Sequence, residues 1–162
     1  MAKKRVFQNG EYNLKYPQKY VGKSKPHYKS SYEYRMMYWL DENAKVIEWS
    51  YEPQYIEYVS HTKPNSPDWT KALVDNKIHK YFVDFYAKIN TNHGVVNYIL
   101  EIKPFIQTIP PNEPKRKTKK AMKRYLEEMK EYIKNGNKWE AASDYANKKG
   151  LKFTVLTERD LF

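Results

Sequence analysis

The spacing of apolar side chains changes several times along the chain, and each change marks an element. After Ser30-Ser31, the run YEYRMMYWLDEN places Tyr34, Met37, Tyr38 and Asp41 at helical intervals, so a short helix is predicted with Ser31 as its N-cap. Residues 46–51 and 54–59 alternate instead and are rich in β-branched and aromatic side chains; they read as two strands of a hairpin, with Pro53 as a bend. Residues 61–78, with Pro64, Asn65, Ser66 and Pro67, read as an excursion. Strands at 79–89 and 95–104 flank Asn90-Thr91-Asn92-His93-Gly94, a group of strong turn formers, and predict a second hairpin. Beyond the proline-rich join 109–114, Met122, Tyr125, Met129, Tyr132 and Ile133 share one face of a helix over 115–134, which Asn135-Gly136-Asn137 stops. A second helix over 139–149, a Gly150 cap and an apolar strand at 151–156 complete the order helix, hairpin, hairpin, helix, helix, strand. No internal repeat is visible.

Residues 1–29 lack such periodicity and are broken by Gly10, Pro17, Gly22 and Pro26, so they read as an irregular arm before a single domain over 30–162. The arm holds eight basic side chains and one acidic; residues 115–124 hold seven basic and none acidic. The formal charge of +11 is therefore concentrated in two segments of +7 each, and the remainder carries −3. A localised positive charge suits a polyanionic partner. With no cysteine, disulfides, a thiol nucleophile and cysteine-based metal sites are excluded. The charged start has no apolar run behind it, and no stretch is apolar enough to span a membrane, so a soluble, unexported protein is expected.

In a symmetrical hairpin centred between Asn92 and His93, Asp84 lies opposite Glu101, and Lys103 follows on the same face because side chains alternate along a strand. The neighbours Tyr81-Phe82-Val83 and Ile99-Leu100 are apolar, so two carboxylates and one ammonium sit in strands that favour burial. Two readings fit: a cross-strand salt bridge at the surface, or a divalent-cation site serving phosphodiester hydrolysis. In the second, hard carboxylate oxygens hold magnesium, and Lys103 orients water or stabilises charge on phosphorus. The four histidines, His27, His61, His79 and His93, lack zinc-site spacing. His79 is read as a surface side chain, with assistance to proton transfer as its alternative.

Phe82-Val83-Asp84-Phe85 followed by Leu100-Glu101-Ile102-Lys103-Pro104 resembles the signature of the PD-(D/E)xK nuclease superfamily, with Val83 in place of the proline. Ser30-Ser31-Tyr32-Glu33, Trp49-Ser50-Tyr51-Glu52-Pro53 and the closing Val155-Leu156-Thr157-Glu158-Arg159-Asp160-Leu161 extend the resemblance to TnsA-like endonuclease domains. With Tyr16-Pro17-Gln18-Lys19-Tyr20-Val21-Gly22-Lys23, it extends more closely to the head completion nucleases of T4-like phages. The resemblance implies an α/β (α+β) fold with a restriction-endonuclease-like core, helix–three strands–helix–strand, its mixed sheet flanked by helices. It implies a Mg²⁺- or Mn²⁺-dependent deoxyribonuclease of endonuclease or exonuclease type. Asp84, Glu101 and the backbone carbonyl of Ile102 would ligate the metal, with Glu33 and Lys103 completing the catalytic set. Glu52 either reaches this site or simply ends its strand. Double-stranded DNA is the implied substrate, phage portal, neck or other head completion proteins are implied partners, and the host cytoplasm or the virion is the implied location. A structural head–tail joining or DNA-terminus-binding protein, and a junction-resolving or repair nuclease of the same fold, are the alternatives.

Lys115, Arg116, Lys117, Lys119, Lys120, Lys123 and Arg124 open the long predicted helix, where cations oppose the helix dipole. Either this is a solvated charge run, or it neutralises DNA phosphates and confers affinity without base specificity.

Overall fold

The computed structural model describes residues 9–161. A short ribbon, β1 (Gly10–Glu11) against β2 (His27–Tyr28), precedes α1 (Ser31–Glu42). Ser30 caps α1, not Ser31: it has the extended backbone a cap needs, and its hydroxyl accepts from the Glu33 N–H at 3.1 Å. The helix buries Met36, Met37, Leu40 and Asp41. Tyr34 and Tyr38 lie off that stripe and are exposed, although Tyr34 packs edge-on against Tyr12 and Tyr28.

Four strands form the central sheet in the order β3 (Val46–Tyr51), β6 (Phe85–Thr91), β7 (Gly94–Ile102), β8 (Lys152–Leu156). The first three are antiparallel and β8 is parallel to β7. A separate ribbon pairs β4 (Tyr55–Val59) with β5 (Ile78–Phe82). The first predicted hairpin is therefore wrong, because β3 and β4 do not pair, and the predicted strand 79–89 is two strands. Tyr51 pairs with Phe85 and Tyr55 with Phe82, so the ribbon continues the β3–β6 pair beyond a bend. Glu52, in a left-handed backbone conformation (φ 40°), and Pro53 make the bend on one side; Val83-Asp84 make it on the other, and the Glu52 N–H donates to the Asp84 carbonyl across it at 2.8 Å.

The two predicted helices after the prolines are one, α2 (Lys119–Lys149), which runs through Asn135-Gly136-Asn137 without a stop. Thr118 caps its start and Gly150, in the left-handed region at φ 68°, ends it. Asn135 and Asn137 are buried, and the Asn137 amide donates to the His61 carbonyl at 3.0 Å, so tertiary contacts override the local breaker signal. Nothing lies within 4 Å of a Cβ built on Gly136. Gly136→Ala is therefore expected to stabilise the protein by about 0.5–1 kcal/mol in urea denaturation, because it removes only the entropic cost of a mid-helix glycine.

A short α3 (Glu158–Leu161) closes the described chain. Leaving aside the β4–β5 ribbon, the order α1, β3, β6, β7, α2, β8 is helix–three strands–helix–strand, a mixed sheet flanked by helices as in restriction-endonuclease-like folds. One face of the sheet buries Trp49, Phe85, Leu100 and Ile102 against Met36, Met37 and Leu40 of α1. The other buries Ile99 and Val83 with Ile56, Tyr58 and Tyr81 of the ribbon and Ala142 and Ala146 of α2. Residues 9–29 close over the α1 side: Tyr12 enters the core, and buried Asp41 accepts from the Tyr12 hydroxyl at 3.1 Å and from the N–H groups of Lys15 (2.8 Å) and Tyr16 (3.1 Å).

Candidate active site

Period-two alternation along β7 points Leu100 and Ile102 at α1 and leaves Glu101, then Lys103, for the side of the ribbon and α2. The β6–β7 register runs from Phe85 opposite Leu100 to Thr91 opposite Gly94, as the turn residues predict. One step further out, Asp84 faces the end of β7. Its Oδ2 accepts from the Ile102 N–H at 2.8 Å. Glu101 is only 2% exposed; its Oε2 accepts from the Tyr81 hydroxyl at 2.6 Å and its Oε1 lies 3.4 Å from Lys103 Nζ.

Burial, and then the charge of Glu101, push the Asp84 carboxyl well above the usual carboxylate range, against the opposing pull of the Ile102 N–H and Lys103. The same surroundings hold the Tyr81 phenol neutral, first by burial and then by Glu101, so it remains a donor to that carboxylate. Glu33 is also raised, by burial first, opposed by the Lys29 N–H and ammonium, and further by the charges of Glu52 and Glu101. It has a local duty as well, because its Oε2 accepts from the Lys29 N–H at 2.7 Å just before the helix cap. Glu52 joins this corner through Lys29, whose Nζ lies 3.1 Å from Glu52 Oε1; the Tyr51 hydroxyl donates to the same oxygen at 3.0 Å.

Among the described residues, no three histidine, aspartate or glutamate side chains converge tightly enough to hold an ion by themselves. The corner offers a smaller set of hard oxygen donors, Asp84 and Glu101, beside the main chain at Ile102. Two like charges in a partly dry site, opposed by one ammonium, suit a divalent cation that completes its shell with water and substrate oxygen, as Mg²⁺ and Mn²⁺ do.

Two neighbours escaped the sequence reading. In a straight strand, Tyr81 and Asp84 would point to opposite faces; the bend at Val83-Asp84 brings both to Glu101. Lys138 reaches the same place from α2, with its ammonium 5.2 Å from the Tyr81 ring centre and 6.0 Å from that of Tyr58. Burial, then Lys134 and Lys103, lower its pKa. No local motif marks either residue.

The basic run lies elsewhere. Lys115, Arg116 and Lys117 precede α2, and Lys119, Lys120, Lys123 and Arg124 occupy its first turns. At 1.5 Å per residue, Arg124 lies about 21 Å and Lys119 about 28 Å along the axis from Lys138. Lys117 pairs with Glu113 at 2.8 Å and Arg124 with Glu128 at 2.9 Å. His79 is occupied by Asp75 at 2.8 Å and stacks on Tyr58.

Residues 43–158 match the TnsA-like endonuclease N-terminal domain. The chain belongs to this family. It is also 33% identical over 134 residues to the head completion nuclease of Enterobacteria phage T4, a match covering 83% of this chain and 79% of that protein. No solved structure matches the chain. The TnsA-like segment contains Glu52, Asp84, Glu101, Lys103 and Lys138, whereas Glu33 precedes it. Membership of an endonuclease family makes the chain an enzyme of the nuclease class, and the charged corner, with Glu101 buried rather than at the surface, is its candidate site.

Proposed function

We propose that the protein is a divalent-metal-dependent DNA nuclease that processes DNA during completion of a phage head, the role named for its T4 relative. The observation that carries this reading is the facing of Asp84 and buried Glu101 with Lys103 Nζ 3.4 Å from Glu101. Magnesium or manganese would be held by Asp84, Glu101 and the Ile102 carbonyl; bound there, it supplies charge neutralisation at the scissile phosphate and acidifies water. The Ile102 N–H fixes the Asp84 carboxylate, and the Tyr81 hydroxyl fixes that of Glu101, so both oxygen sets are oriented before substrate arrives. Lys103 places a cation beside the phosphate, where it orients the attacking water and stabilises negative charge developing on phosphorus. Glu33 adds a third carboxylate from the start of α1. The run Lys115 to Arg124 holds duplex phosphates at a distance from the chemistry. The reaction would take place in the host cytoplasm on DNA of an assembling particle, beside portal or neck proteins. No helix among the described residues is long and apolar enough to cross a membrane.

The test is incubation of purified protein with linear and branched DNA in Mg²⁺, Mn²⁺, Ca²⁺ or EDTA. Cleavage in Mg²⁺ and Mn²⁺, and none in EDTA, is expected. Tight DNA binding without cleavage in any metal would replace the nuclease with a structural DNA-terminus-binding protein.

A further inference from the structure

A groove of about 510 Å³ lies between α2 and the β4–β5 ribbon, and it carries charge that the long basic run does not account for. Lys130, Lys134 and Lys138 line one wall at intervals of one helical turn, which puts neighbouring side chains about 6 Å apart on a single face. The ribbon supplies Tyr58 and His79, stacked with ring centres 5.6 Å apart, and residues 72–75 line the remaining side; Lys80 turns its ammonium the other way, over the Tyr55 ring at 4.5 Å. Lys130 and Lys134 are exposed and form no ion pair among the described residues, unlike Lys117 and Arg124. The negative groups nearby are Asp75, held by His79 and the Lys77 N–H, and Glu131, which acts on Lys138. At its Lys138 end the groove meets Tyr81, whose hydroxyl donates to Glu101.

We propose that this groove is the track for a single strand of DNA, which it delivers to the Asp84–Glu101 corner. A single row of lysines along a cleft suits a strand with one phosphate backbone to place. A row of unpaired lysines along a groove neutralises a sugar–phosphate backbone without reading its sequence. The row ends at the active site, so a strand lying along it carries a phosphate to Lys103. The proposal rests on the nuclease reading and names its substrate: a strand end or unpaired tail at a duplex terminus, with the duplex itself held further out by the start of α2.

Binding separates the two claims, since it can be read without cleavage. Fluorescence anisotropy in Ca²⁺, with a labelled single-stranded 15-mer and a blunt duplex of the same sequence, compares the wild type with Lys130→Glu/Lys134→Glu; circular dichroism checks folding, and Lys130→Gln/Lys134→Gln repeats the test without charge reversal. Loss of about 10-fold or more in single-strand affinity is expected, with a salt slope shallower by about 1.4 for two lost phosphate contacts. Blunt-duplex affinity should change less than about 2-fold. Equal losses for both DNAs, or no loss for either, would overturn the track. Absence of cleavage by the wild type, with this binding pattern intact, would instead count against the nuclease alone.

Discussion

Asp84→Asn is expected to lower cleavage by about 10³-fold or more while removing the fall in stability that the metal-free protein shows as pH rises above the ordinary carboxylate range. Both effects have one origin. The folded protein holds the Asp84 carboxyl well above its ordinary range, chiefly by burial and then by Glu101, so between the ordinary and the raised value the native state binds more protons than the unfolded chain. Stability of the metal-free protein must therefore fall as pH rises through that window and level off above it. Asparagine cannot ionise, so the variant lacks this decline, and each kcal/mol relieved raises the melting temperature by about 2–4 °C for a chain of this size. A divalent ion acts in the opposite sense: at a hundredfold excess over its dissociation constant it stabilises the wild type by about 2.7 kcal/mol, and the variant should lose most of that gain. Thermal melts from pH 5 to 8, in EDTA and in Mg²⁺, check this directly. Matching pH slopes in the two proteins would place the conflict of charge elsewhere than at Asp84.

Lys103→Met is expected to reduce the single-turnover rate by about 10²–10⁴-fold with Mg²⁺-induced stabilisation retained. Its side chain is a quarter exposed, and its ammonium lies 3.4 Å from a Glu101 oxygen that a cation would share. Removing it leaves Glu101 with Tyr81 as donor and a freer oxygen for the metal, so the ion should bind at least as well while the phosphate loses a positive neighbour. Lys103→Arg discriminates the roles: it preserves an ion pair to Glu101, yet it presents a broad planar fork where the site holds a compact point charge. Arginine restoring stability but not rate would identify Lys103 as a catalytic residue. Full activity in both variants would reduce Lys103 to a salt-bridge partner.

The resemblance to TnsA-like endonucleases was legible because its residues occur in short runs, and the family match bears it out. The register of β6 and β7 was legible for a different reason. A two-residue turn centred on Asn92-His93 leaves one symmetrical pairing, so Asp84 could be set against Glu101 by numbering alone. Gly150 ended its helix as expected, since a left-handed cap strongly favours glycine.

Those local determinants fixed what neighbouring residues do to one another: strand period, turn register, caps and the charge along each segment. Tertiary structure decided where separate elements meet. The Asn135-Gly136-Asn137 signal lost to burial of its asparagines against the fold, which kept α2 continuous and carried Lys138 to Tyr81. The bend shared by Glu52-Pro53 and Val83-Asp84 turned a predicted strand into two, reversing the side to which Tyr81 points relative to Asp84. It also opened the lysine-lined groove between ribbon and helix. A carboxylate pair can be read from strand period because opposite strands impose it. The donor and the cation beside the pair come from a ribbon and a helix, Tyr81 and Lys138, and Tyr81 stands 20 positions from Glu101 in the chain; only packing of the whole chain sets those distances.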